Sequence, residues 1–139
     1  MKTISRQLQF ETKGYCDIID ITSEVDEALK KSKLRAGIIS IICSGSTGAL
    51  TTCEYESGLI EDLKRFFERI IPENQAYDHN KRWGDGNGFS HVRASLIGPS
   101  LTIPFNKGRL ILGTWQQIIF IDFDNRPRGR KIHLQIMGE

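Results

Sequence analysis

The chain has 139 residues and a formal net charge of +2. That is one domain's length, enough to bury a core without disulfides or metal staples, and a charge too small to imply a nucleic-acid or anionic-membrane partner. No stretch approaches the roughly 18 apolar residues of a membrane helix, and Met1-Lys2-Thr3-Ile4-Ser5-Arg6 lacks a signal-peptide core, so a cytoplasmic protein is expected.

In the first segment Ile4, Leu8 and Phe10 share one face, and Thr3, Ser5, Gln7, Gln9 and Glu11 share the other. This is the period of a half-buried strand, with Arg6 falling on the apolar side. Gly14 turns the chain into a short strand around residues 16–19. Ser23 followed by Asp26 resembles a capping box and predicts a helix to about Lys33. Residues 37–43 are apolar and β-branched, a buried strand; Gly45-Ser46-Thr47-Gly48 is a turn, and 49–55 is a further strand. Leu59, Ile60, Leu63, Phe66, Phe67, Ile70 and Ile71 form an apolar stripe at helical period, with Ser57 as N-cap and Pro72 as stop.

Residues 73–90 have no periodicity. Ser90 then caps a short helix to about Ile97, ended by Gly98-Pro99. The last third reads as strand: 101–105 and 109–112 flank the hairpin turn Asn106-Lys107-Gly108. A long strand follows over 115–123, where Ile119, Ile121 and Phe123 alternate with Asp122 and Asp124. In the final strand Ile132, Leu134 and Ile136 alternate with polar neighbours. Hairpin-connected strands with helices clustered in mid-chain predict one α+β domain over residues 1–139. Its mainly antiparallel sheets form a sandwich with two to three helices on one side. Half-polar strands imply that one face of each sheet meets solvent or a partner subunit. Cys16, Cys43 and Cys53, odd in number and without a C-x-x-C pair, are expected as reduced thiols packed as small hydrophobes.

Chemistry concentrates between Tyr77 and His91. This segment holds His79 and His91, Asp78 and Asp85, Asn80 and Asn87, Lys81 and Arg82, and glycines at 84, 86 and 88. Long irregular segments inside compact domains are usually functional when they carry aromatic residues, as this one does. Three readings stand open. A divalent metal, zinc or magnesium, would take His79, His91 and one of Asp85, Asp78 or Glu54. A metal-free pair would work as general acid and base or contact a ligand. Or His91 is an ordinary helix N-terminal residue and His79 an ordinary loop donor. Asp85-Gly86-Asn87-Gly88 lacks the spacing of an EF-hand. The turn 45–48 lacks the G-K-[ST] of a phosphate loop; a plain turn is the simpler reading, with its N–H groups facing an anion as the alternative. The basic run Arg126, Arg128, Arg130 and Lys131 reads most simply as a solvated hairpin tip, and no aromatics interleave it for single-stranded nucleic acid.

Six blocks in order carry a resemblance. They are Ser46-Thr47-Gly48-Ala49-Leu50-Thr51 with Glu54; Tyr77-Asp78-His79; Asp85-Gly86-Asn87 with His91; Ala94-Ser95-Leu96-Ile97-Gly98; Leu101-Thr102-Ile103-Pro104; and Gly108-Arg109-Leu110-Ile111-Leu112-Gly113-Thr114-Trp115-Gln116. Through them the stretch from Ser46 to Gly138 resembles the YjbQ-like proteins, also called secondary thiamine-phosphate synthases. The resemblance implies an α+β fold that forms a homotrimer through its sheets, with Arg6 toward an interface. It implies a polar site near the subunit boundary involving His79, Asn87 and His91. It also implies weak synthase activity joining a pyrimidine pyrophosphate to a thiazole phosphate, a small phosphorylated ligand for which Arg82 and Arg93 are the nearest cations, and Glu54 behind the site. Where many relatives carry histidine or asparagine, this chain has Gly45, Cys53 and Phe89, which leaves His79, His91 and one carboxylate as the shared set.

Overall fold

A computed structural model describes residues 1–139. It contains strands β1 (Lys2–Thr12), β2 (Asp17–Asp20), β3 (Ala36–Cys43), β4 (Gly48–Cys53), β5 (Ser100–Asn106), β6 (Arg109–Leu110), β7 (Gln117–Asp122) and β8 (Arg128–Gly138). The helices are α1 (Thr22–Ser32), α2 (Ser57–Ile70), α3 (Asp78–Trp83) and α4 (Gly88–Ile97). The strands form a five-stranded sheet of order β1-β8-β3-β5-β6 and a three-stranded sheet of order β2-β7-β4. Every pairing is antiparallel, so the α+β expectation holds.

Alternation along the strands builds the layers. Ile39 and Ile41 of β3, Ile132, Leu134 and Ile136 of β8, and Ile103 and Phe105 of β5 turn inward onto Leu50, Ile118 and Phe120 of the smaller sheet. Val25, Ala28 and Leu29 of α1 complete that core. The opposite face of the small sheet, with Ile18, Ala49, Ile119 and Ile121, meets Phe67 of α2 and Ala94 of α4. Helices α2 and α4 thus form the predicted layer on one side, while α1 belongs to the core between the sheets.

Strand β7 lies at the middle of the molecule and is covered on both faces from Ile118 to Asp122. Its alternation therefore does not mark a solvated side: Asp122 and Asp124 are fully buried. Other boundaries also differ from the sequence expectation. The N-cap of α1 is Ile21, which offers no side-chain cap, so Ser23 does not cap the helix; Asp20 Oδ1, one residue earlier, accepts from Thr22 N at 3.0 Å and Thr22 Oγ1 at 2.6 Å. Glu56, not Ser57, caps α2 by accepting from Gly58 N and Leu59 N. The strands expected at 109–112 and 115–123 shrink to Arg109–Leu110 and Gln117–Asp122. The segment between them is a loop held by Gln116, whose Oε1 accepts from Gly113 N and whose Nε2 donates to Thr52 Oγ1. No helix is long and apolar enough to cross a membrane. All three cysteines are unpaired, with Cys16 and Cys43 buried and Cys53 half-buried.

Candidate functional site: a histidine pair over a buried ion network

The irregular segment contains a helix that periodicity does not reveal. Helix α3 is short, lacks a buried face, and ends where Gly84 takes a left-handed conformation (φ 66°) and returns its N–H to Asn80 O at 2.7 Å. The same asparagine ties α3 to α4, because Asn80 Oδ1 accepts Gly88 N at 2.8 Å. Gly88 is needed for space: a Cβ there would stand 2.5 Å from the Tyr77 Cβ. This close junction lays the His79 ring against the His91 ring, centroids 4.3 Å apart and planes tilted by 38°. His79 Nδ1 is buried without a hydrogen-bond partner, and Asp85 Oδ1 lies 3.6 Å from it, a charge contact longer than a hydrogen bond.

Asn87 anchors the loop from below. Its Oδ1 accepts from Ser90 Oγ at 2.6 Å and from Asn125 N at 3.1 Å. Asn125 Nδ2 in turn donates to Asp85 O at 2.8 Å. The start of α4 is thereby fixed to the turn that leads into β8. Burial disfavours the charged form of His91 and the neighbouring His79 adds to this; Asp85 and Asp124 pull the other way. The net effect holds His91 below the ordinary histidine value.

Beneath the pair is an ion network that the sequence reading missed. Asp122 accepts from Arg130 Nε at 2.6 Å, Arg130 Nη2 at 2.8 Å and Thr12 Oγ1 at 2.6 Å. Asp124 accepts from Thr47 Oγ1 at 2.9 Å and Arg128 Nε at 3.0 Å, and Arg130 Nη2 also donates to Thr47 Oγ1 at 2.7 Å. Burial pushes the Asp124 carboxyl upward. The Arg128 and Thr47 bonds and the Arg128 charge outweigh that and hold it below the usual carboxylate range. The basic run is thus not a solvated tip: Arg128 and Arg130 turn inward to neutralise two acids of the central strand. A signal was present, since two acids in the most apolar run of the chain require two cations.

The other expected site residues fall in different places. Glu54 is exposed beyond the far end of β4. It lies six positions after Gly48, about 20 Å of extended chain at ~3.3 Å per residue, so it does not stand behind the histidines. Arg93 is not a phosphate-facing cation. It is buried, its Nε and Nη2 donate to Ile71 O at 2.9 and 2.7 Å, its Nη2 also pairs with Glu68, and its guanidinium lies over Phe89. Arg82 is exposed and lies over its neighbour Trp83. Nowhere do three or more His, Cys, Asp or Glu residues gather to hold one ion. His79, His91 and Asp85 meet as a pair of rings with a flanking carboxylate.

Comparison with known proteins agrees with the blocks read from the sequence. A family model described as "UPF0047 protein YjbQ-like" matches residues 6–139, so the likeness extends through the N-terminal strand. The chain is similar to a UPF0047 protein of Methanothermobacter thermautotrophicus, 37% identical over 139 residues, covering 100% of this chain and 95% of the relative. It is similar to the UPF0047 protein YugU of Bacillus subtilis at 34% over 134 residues, covering 96% and 98%. Among solved structures, a YbjQ-like protein of unknown function from Sulfolobus solfataricus superposes with a TM-score of 0.94 at 30% identity over 99% of both chains. A hypothetical protein from Aeropyrum pernix gives 0.89 at 32% over 100% of both.

Proposed function

This chain belongs to the YjbQ-like family (UPF0047), and on that premise we propose that the surface where α3 meets α4 is a small-molecule site in which His79 and His91 act as proton donor and acceptor. The observation that carries the reading is the stacked pair itself, centroids 4.3 Å apart. Two imidazolium rings that close repel each other. One faces a carboxylate while the other is disfavoured from charging, so the pair takes one proton more readily than two.

The substrate class is a small phosphorylated molecule. The reaction is transfer of a pyrimidine-methyl group from its pyrophosphate to a thiazole phosphate. The thiazole nitrogen forms the new C–N bond as the C–O bond to pyrophosphate breaks, and a protonated imidazole gives its proton to the departing oxygen. Asn87 fixes the loop during this step, and Arg82 is the exposed cation of α3 available to the substrate's phosphate. The assembly is a homotrimer joined through the outer face of the five-stranded sheet. Support for this comes from Ile38 and Ile42, which lie exposed there beside Met137.

The test supplies purified protein with both substrates and follows release of pyrophosphate. Product from the wild-type protein, reduced about 10²–10⁴-fold in His79→Gln and in His91→Gln, supports the reading. Absence of product from the wild-type protein, or undiminished product from the double variant, overturns it.

A further inference from the structure

The turn at residues 45–48 opens a cavity of about 160 Å³ beside His91, lined also by Gly45, Ser46, Gly48 and Ser95. This is smaller than the roughly 300–1,000 Å³ pockets that enclose whole organic ligands, and it suits a single tetrahedral group. Three donors without partners of their own meet at this turn, of which Ser46 alone lines the cavity. Gly45 N donates to Cys43 O, but the N–H groups of Ser46 and Thr47 donate to no group of the chain, although Thr47 is buried. The third is Arg130, whose side chain is 10% exposed. Its Nε and Nη2 are engaged by Asp122 and Thr47, whereas Nη1 makes no hydrogen bond.

Gly45 explains where that nitrogen leads. Its φ is not in the left-handed region, so the backbone does not demand glycine there. A Cβ at 45 would stand 3.1 Å from Arg130 Nη1. The missing side chain keeps the guanidinium open toward the turn. Backbone N–H groups of a tight turn together with an arginine nitrogen are the donors that recognise tetrahedral oxyanions.

We infer that the turn at 45–48 and Arg130 Nη1 form an oxyanion subsite that holds a phosphoryl-sized group next to His91. This rests on the proposed small-molecule site, for which it supplies the phosphate anchor that Arg93 does not, but anion binding there needs no chemistry from the histidines.

The test titrates the full chain with inorganic phosphate, and separately with sulfate, while recording amide NMR shifts and binding heat. The wild-type protein is expected to bind with the largest shifts at Ser46 and Thr47. Gly45→Asp places a carboxylate against Arg130 Nη1, crowding only the end of a flexible side chain, and is expected to weaken phosphate binding at least about tenfold, the loss of one charge-assisted bond. Gly45→Ala, which adds only a methyl, is expected to give a smaller loss in the same direction. Phosphate binding that survives while the transfer assay fails would sink the transfer reading and leave the subsite standing. No shift at 46 and 47 at tens of millimolar phosphate, or unchanged affinity in Gly45→Asp, would overturn the subsite.

Discussion

Replacing Arg130 with Met keeps the aliphatic stem but removes the guanidinium from a carboxylate that is fully buried. Asp122 would lose bonds at 2.6 and 2.8 Å and keep those from Thr12 Oγ1 and Asp124 N. A buried charge stripped of its partner costs about 3–5 kcal/mol. Against a domain stability of ~5–15 kcal/mol that is a large fraction. For a chain of this size it corresponds to a fall in Tm of roughly 10–20 °C. The assay is urea unfolding followed by circular dichroism, with the loss read as a lower midpoint at constant slope. Arg130→Met/Asp122→Asn removes the stranded charge and is expected to recover at least about 1 kcal/mol of the loss. A loss below about 1 kcal/mol in the single variant, the size of a solvent-screened surface pair, would refute the claim that the network is a buried support for the Thr47 turn.

Gly88→Ala drives a methyl against Tyr77, 2.5 Å away. It should cost about 1–3 kcal/mol and move the His79 and His91 ring resonances in an NMR spectrum; unchanged rings would show that this junction does not set the pair. Because His91 is held below its ordinary value, the unfolded chain takes up a proton first as pH falls below about 6.5, so stability should decline from there downward. In His91→Gln that part of the decline, measured by urea midpoints between pH 7 and 5, should flatten. Burial pushes the Cys16 thiol up to about 11 and also raises Cys43 and the half-buried Cys53. A thiol reagent at pH 8 should therefore modify Cys53 first and Cys16 last, and early labelling of Cys16 would contradict its burial. If the exposed outer face of the five-stranded sheet carries the trimer, Ile38→Glu should lower the mass seen in sedimentation equilibrium to that of one chain; a trimer that survives would place the contact elsewhere.

Much of the fold was readable because each strand or helix with one apolar face announces its own period. The strand with Ile4, Leu8 and Phe10 and the last strand with Ile132, Leu134 and Ile136 lie where alternation puts them. The stripe of α2 predicted the helix but overstated its packing, since Phe66 and Ile70 remain exposed while Phe67 is buried. Helix α3 was not legible because nothing in it repeats at helical spacing; its form comes from Gly84 and from Asn80 reaching Gly88. The histidines were found from their residue types, and their meeting depended on a junction that spacing does not encode. Asp122, Asp124, Arg128 and Arg130 were misread because alternation distinguishes two faces of a strand but not whether the second face is covered. For β7 the acids' face is covered by the five-stranded sheet, whose Thr12 and Arg130 bond Asp122.

The proposed chemistry requires His79 and His91 to act as one coupled acid–base unit. A pH titration of the full chain, with ¹³C-labelled histidine rings followed by NMR, tests it directly. His91 is expected to titrate below the ordinary histidine value, with a midpoint that rises in His79→Gln. A His91 that titrates at its ordinary value, and does not move when His79 is replaced, would contradict it.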